Sequence, residues 1–329
     1  MIPVTILTGF LGSGKTTLLK RILNEQHGMK IAVIENEFGE ENIDNEILVQ
    51  ETNEQIIQMS NGCICCTIRG DLARALEDLA NRKKAGTLDF DRVVIETTGL
   101  ANPGPVAQTF FMDNTVADEF LLDAIITLVD AKHANAQLDQ HEVVQRQVGF
   151  ADRLFITKSD LVSAEELESL KHRLVHMNPR AAIRVVNFGD ADIKEIFDLR
   201  SFNLNSKLEI DPDFLAEDDH DHDHDHAHHD DKIKSFVYRS DKPFDPNRLE
   251  DFLGGILQIY GERLLRYKGV LYMKGVDRKV VFQGVRQMMG SDLAAKWMPV
   301  EKKNNKMVFI GIELPKDLIT DGLNACLVK

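Results

Sequence analysis

The 329-residue sequence predicts an α/β fold, a doubly wound and mostly parallel sheet followed by a smaller α+β domain. Three observations predict it. Apolar runs at 3–8, 30–36, 92–97, 124–130, 153–158 and 182–187 alternate with segments of helical period, the pattern of a parallel sheet wrapped by helices. The first run leads straight into a glycine-rich turn and an amphipathic stretch, VTILTGFLGSGKTTLLKRIL. Beyond residue 231 the pattern changes to the strand-like runs KIKSFVYR, LLRYKGVLYMKG, RKVVFQGVRQM and KMVFIGIEL, with a helix around Pro246–Ile259.

Each helix has its own signal. Lys15–Gln26 and Leu138–Val148 carry apolar residues at helical spacing between predicted strands. From Asp71 onward Leu72, Leu76 and Leu79 share one face. Over Ser163–Met177, Ser163 and Glu166 form a capping-box signature, and Leu167, Leu170, Leu174 and Met177 line one side. Residues 218–231, DDHDHDHDHAHHDD, have nothing to bury and are expected to stay unfolded without metal. The expected division is 1–205, a 206–231 linker, and 232–329.

Composition narrows the class. Hydrophobic residues make up 43% and charged residues 28%, ordinary values for a globular protein. No apolar run approaches the ~18 residues that span a bilayer, so no membrane partner is expected. The N-terminus enters an apolar strand with no signal-peptide pattern. Four cysteines, three of them clustered, do not make a disulfide framework and suit reduced-thiol chemistry, which points to the cytoplasm. The net charge of −14 is uneven: −8 over residues 217–231, +7 over 232–329 and −13 over 1–216. The basic final third can attract an acidic partner or simply be a mixed solubilising surface. It carries no aromatic–basic motif, and nucleic acid is not the expected partner.

Gly9, Gly14, Lys15 and Thr16 match the phosphate-binding loop pattern in its proper setting, strand before and helix after. This makes the first domain a P-loop NTPase. Glycines let backbone N–H groups converge on phosphate oxygens at the positive end of a helix. Lys15 is expected to reach the β/γ oxygens and Thr16 to ligate Mg²⁺. The strand at 153–158 ends in Thr157-Lys158-Ser159-Asp160. A carboxylate at Asp160 accepts both the ring N–H and the exocyclic amino group of guanine, while adenine offers no such pair. The stem of Lys158 can lie over the base, so the expected nucleotide is GTP. Two further strand ends carry acids: Glu96 before Gly99, whose N–H can face the γ-phosphate, and Glu35-Asn36-Glu37 before Gly39. Lys15, Thr16, Glu37 and Glu96 are the candidate catalytic residues.

The stretch SNGCICCTIRGDL holds Cys63, Cys65 and Cys66. Three sulfurs leave a tetrahedral metal one ligand short, whereas structural zinc sites are closed by four protein ligands. A metal held for transfer fits, with the fourth position filled by a carboxylate such as Glu37 or by the recipient. A redox pair and three buried small hydrophobes are the alternatives. Thiolates favour Zn²⁺, with Co²⁺ and Ni²⁺ also acceptable.

GFLGSGKTT, ENEFGE, GCICC, ETTG and TKSD, in this order, resemble the CobW/YjiA family of P-loop GTPases of the SIMIBI class, and YjiA-type members most. The C-terminal runs are also similar to that family's second domain, so the resemblance spans nearly the whole chain. It implies slow GTP hydrolysis, Zn²⁺ or another transition metal on the cysteine motif, and delivery of metal to client proteins. It puts Gly12, Ser13, Gly14, Lys15, Thr16 and Thr17 on the phosphate loop, Lys158 and Asp160 on guanine, Cys63, Cys65 and Cys66 on metal, and Glu37 on the switch beside it. Relatives make a nucleotide- or metal-dependent homodimer an expectation. Glu41-Asn42 departs from the small pair many members carry there and adds an acid near the switch.

His220, His222, His224, His226, His228 and His229 alternate with aspartates and can buffer metal or load the cysteine site; a solvated acidic linker is the plain alternative. His172 and His176, one turn apart, face away from the leucine stripe and read as solvent-exposed. Trp297 and Cys326 read as packing residues, and His133 and His141 have no readable role. The sequence therefore predicts a GTPase metallochaperone. Its rival is a GTP-regulated metal sensor or store without directed transfer.

Overall fold

The computed structural model describes residues 1–25, 27–35, 56–58, 68–199, 231–298 and 301–328. The chain divides into two compact units, Met1–Phe202 and Asn203–Lys329. No described helix is long and apolar enough to cross a membrane.

The first unit is built on seven parallel strands: β1 (Ile2–Gly9), β2 (Ile31–Glu35), β3 (Ile56–Gln58), β4 (Arg92–Glu96), β5 (Phe120–Asp130), β6 (Arg153–Thr157) and β7 (Ala182–Val185). Their order is β3-β2-β4-β1-β5-β6-β7, parallel throughout. β1 is central and its last six residues are buried, which is why it reads as a near-continuous apolar run in which Thr5 and Thr8 are the polar positions. The chain winds away from β1 in both directions, so the open crevice lies at the carboxyl ends of the strands. Helix α1 (Lys15–Asn24) buries Leu18, Leu19, Ile22 and Leu23 against Val33, Val94, Ile126, Leu128 and Phe155. Each such leucine contributes about 1.5–3 kcal/mol of burial.

Helix α2 (Ile68–Lys84) buries Leu72, Leu76 and Leu79, as their spacing predicts. Helix α3 (Pro103–Met112) starts with Asn102 accepting from the Gly104 N–H at 3.0 Å, followed by the short α4 (Asn114–Glu119). The single helix expected over Leu138–Val148 is two, α5 (Ala134–Gln140) and α6 (Glu142–Phe150). His141 breaks them with an extended backbone, and its ring stacks on Phe10 at 4.8 Å between centroids. Helix α7 (Ala164–Met177) has the capping box, with Glu166 N donating to Ser163 Oγ at 3.2 Å and Ser163 N to Glu166 Oε2 at 2.8 Å. Leu170, Leu174 and Met177 are buried there, Leu167 is half-buried, and His172 and His176 are exposed.

The second unit is a five-stranded antiparallel sheet of order β11-β10-β9-β12-β8, from β8 (Ile233–Ser240), β9 (Leu264–Leu271), β10 (Arg278–Val285), β11 (Met288–Lys296) and β12 (Asn305–Ile312). Helices α8 (Pro246–Tyr260) and α9 (Lys316–Ala325) bury Leu249, Leu253, Ile256, Ile319 and Leu323 in its core. RKVVFQGVRQM is not one strand: it ends β10, turns at Arg286 (φ 54°) and opens β11. Gly284 stands opposite Tyr267, and a Cβ there would collide with its phenol ring, whose hydroxyl donates to Met288 O at 2.6 Å. Burial pushes the Tyr267 phenol well above its ordinary pKa. Trp297 and Cys326 are buried packing residues.

Candidate functional site

The turn between β1 and α1 wraps as a phosphate-binding loop must. Gly9, Gly12 and Gly14 have φ of 141°, 73° and 97°, a region that favours glycine. A Cβ on Gly9 would sit 2.5 Å from the backbone oxygen of Leu128 on β5, so only glycine fits at this strand end. Ser13 N donates to Phe10 O at 3.1 Å, and Lys15 Nζ folds back to donate to Gly9 O at 2.8 Å and Phe10 O at 3.2 Å. Burial pushes the Lys15 ammonium below the ordinary lysine value, opposed by the charge of Glu96. Thr17 is exposed one residue beyond Thr16.

Thr16 Oγ1 donates to Glu96 Oε1 at 3.0 Å, joining the start of α1 to the end of β4. This pairs a hydroxyl with a carboxylate oxygen, the hard-donor set that suits Mg²⁺. Thr97 Oγ1 meets Thr8 Oγ1 at 2.9 Å just beyond. Gly99 is buried with no room for a side chain: a Cβ would lie 2.6 Å from Leu11 N and 2.9 Å from Leu11 Cα. Gln147 on α6, fully buried, donates to Gly99 O at 3.0 Å and Ala101 O at 3.1 Å, pinning this segment to that helix.

At the end of β6, Thr157 Oγ1 donates to Ser13 O at 2.9 Å. Lys158 takes a left-handed backbone (φ 56°), and its Nζ lies 2.6 Å from Asp130 Oδ2 at the end of β5. Asp130 also meets His133 Nδ1 at 3.0 Å and accepts from Lys132 N at 2.9 Å. Burial pushes the Asp130 carboxyl up, but these donors outweigh it and hold it below the ordinary carboxylate range. Asp160 is exposed in the 3-10 turn Ser159–Leu161. Asn187 braces that turn, accepting from Ser159 N at 3.0 Å and donating to Ser159 Oγ at 2.8 Å.

Gly9, Gly12, Ser13, Gly14, Lys15, Thr16, Thr17, Glu96, Gly99, Thr157, Lys158 and Asp160 thus all lie at the carboxyl ends of β1, β4 and β6 or at the start of α1. Asp130, Gln147 and Asn187 escaped sequence reasoning because they act on neighbours distant in the chain; the buried acid closing β5 is the one legible trace. Glu37, Cys63, Cys65, Cys66, His220, His222, His224, His226, His228 and His229 lie outside the described residues. Among the described residues no group of three His, Cys, Asp or Glu could hold a metal.

The seven-stranded parallel sheet and this loop define a P-loop nucleotide-binding protein. The chain belongs to the CobW family: residues 3–185 match the CobW/HypB/UreG nucleotide-binding domain and 233–327 the CobW C-terminal domain. It is 44% identical over 321 residues to the zinc chaperone YjiA of Escherichia coli, covering 97% of this chain and 96% of that one. The zinc chaperone CobW of Pseudomonas aeruginosa is 32% identical over 357 residues, covering 99% and 92%. The crystal structure of the Zn(II)-bound YjiA GTPase from E. coli superposes with a TM-score of 0.79 at 37% identity, covering 99% of both chains.

Proposed function

We propose that this protein is a GTP-hydrolysing metallochaperone that binds zinc at Cys63, Cys65 and Cys66 and hands it to a metal-requiring client according to nucleotide state. Support comes from relatives named as zinc chaperones along nearly the full chain. One observation carries the coupling. Glu96, which holds the Thr16 hydroxyl, stands in register with Glu35, the last residue of β2, and Glu35 in turn pairs with Gln58 of β3. Glu37 follows β2 by two residues, and the three cysteines lie between β3 and α2. The ends of β2 and β3, which those segments follow in sequence, lie one and two strands from Glu96 in the sheet, and this supports the coupling.

In this reading the loop N–H groups and Lys15 hold the β/γ-phosphates, and Asp160 and Lys158 select guanine. Thr16 and Glu96 would hold Mg²⁺, which supplies charge neutralisation on the phosphate oxygens when bound. Gly99 N–H senses the γ-phosphate, and water attacks it with Lys15 stabilising the charge that develops. The histidines of 206–231 buffer or load the cysteine site between a nucleotide domain at 1–205 and a second domain at 232–329. A nucleotide- or metal-dependent homodimer and a reducing, cytoplasmic setting complete the proposal.

The test is a competition titration of zinc against a chromophoric chelator under reducing conditions, with GTP·Mg²⁺ and then GDP·Mg²⁺ and with the histidine tract deleted. A tighter zinc constant with GTP is the expected result. Equal constants would overturn nucleotide-driven transfer and leave a sensor or store.

A further inference from the structure

Lys158 is not alone in its backbone conformation. Phe188, three residues beyond the end of the neighbouring β7, also has a left-handed φ of 53°. For an aromatic residue this is an outlier that persists only where the surroundings impose it. The surroundings do so from both sides. Asn187 is tied by two hydrogen bonds to Ser159, in the middle of Thr157-Lys158-Ser159-Asp160. Gly189 is wedged against α1, where a Cβ would lie 3.0 Å from Thr17 O and 3.2 Å from Leu18 Cα. Asp190 N donates to Asn187 O at 3.0 Å and Asp190 pairs with Arg21 of α1 at 3.0 Å. Yet the ring these contacts hold in place buries nothing: Phe188 is 81% exposed, the most exposed large apolar residue described.

A strained backbone that presents a bare aromatic ring stabilises nothing in the fold itself. Its loop is braced on one side to the base-selecting turn and on the other to the phosphate-loop helix, the two parts that must embrace one nucleotide. We propose that Phe188 is a stacking platform for the guanine base, a specificity-neutral binding residue that supplies affinity while Asp160 supplies selection. This rests on the reading of Asp160 as the guanine acceptor. Every base has a π face, so stacking on Phe188 strengthens binding without choosing among bases.

The experiment measures GDP·Mg²⁺ and XDP·Mg²⁺ affinities by calorimetry on the full chain, for the parent and for Phe188→Ala, Phe188→Trp and Asp160→Asn. Phe188→Ala should weaken GDP about tenfold, within the range that base–aromatic stacking gives, and leave the GDP-over-XDP preference unchanged. Phe188→Trp should retain parent affinity, and its emission should be quenched by GDP against the single buried Trp297. GDP affinity of Phe188→Ala within twofold of the parent, or an unquenched Phe188→Trp, overturns the stacking role. Asp160→Asn reports separately on base selection. A shift towards XDP upholds the reading beneath the proposal, and an unchanged preference overturns that reading together with the division of labour.

Discussion

Gly99→Ala tests whether Gly99, the proposed γ-phosphate sensor, is locked to the phosphate loop by sterics. The new methyl would lie 2.6 Å from Leu11 N and 2.9 Å from Leu11 Cα, both backbone atoms that no rotamer change can move. Ordinary contact needs about 3.5 Å, so the loop and residue 99 must separate by about 1 Å. The sensor cannot slide freely, because Gln147 holds Gly99 O and Ala101 O at 3.0 and 3.1 Å. Overpacking of this kind costs about 1–3 kcal/mol. At about 2–4 °C per kcal/mol for a domain of this size, melting should fall by about 2–12 °C. The Gly99 N–H survives the substitution, so any catalytic loss is positional, and a displacement near 1 Å predicts about a hundredfold loss of single-turnover GTP hydrolysis. Hydrolysis and melting both at parent values would refute the tight-packing argument.

Two other predictions follow from charges at the site. Lys15 starts below the ordinary lysine value because it is buried, and phosphate must raise it; GTP binding therefore takes up a proton at alkaline pH. Affinity should fall as pH climbs through the free-state value towards 10.5, with calorimetry in buffers of different ionisation enthalpy counting the proton. Asp130→Asn removes the charge 2.6 Å from Lys158 Nζ and should weaken GDP about tenfold by direct titration. The carboxyl is held below 3.8 in the fold, so its stabilisation is complete above that value and lost as pH falls through the depressed one. Asp130→Asn should flatten that acid limb of a pH–denaturation series.

What the sequence made legible, and what it hid, divides along locality. Strands buried on both faces write near-continuous apolar runs, and a glycine-rich turn between strand and helix writes its phosphates directly, so β1, β2, β4 to β6 and the loop are readable, while the half-exposed edge strand β7 is legible from the helix–strand alternation. β3 has three residues, too few for a period, and β11 (MMGSDLAAK) has no alternation. Helical period runs across His141 because the residues on either side are good helix formers; the break accompanies a stack on Phe10, 131 residues earlier, which no local pattern reveals. The buried Arg92 likewise gives no sequence signal, since its partners Asp123 and Asp198 stand 31 and 106 residues away. Motifs name the groups that touch ligand; the residues that hold those groups still are set by the tertiary fold.

That distinction bears on how a three-thiol stretch can answer to a nucleotide. Thr16, Glu96 and Glu35 form one line across β1's helix, β4 and β2, linked by a 3.0 Å hydrogen bond and then by strand register. Register also joins Glu35 to Gln58 of β3, and in the proposed function a change at Glu96 reaches the chain beyond β2 and β3 along this line. The segments that hold the proposed metal ligands follow those ends in sequence. The same connection must run backwards: whatever free energy GTP contributes to zinc binding, zinc contributes to GTP binding. Zinc should therefore tighten GTP by the factor by which GTP tightens zinc, and a client that strips the metal should itself loosen the nucleotide.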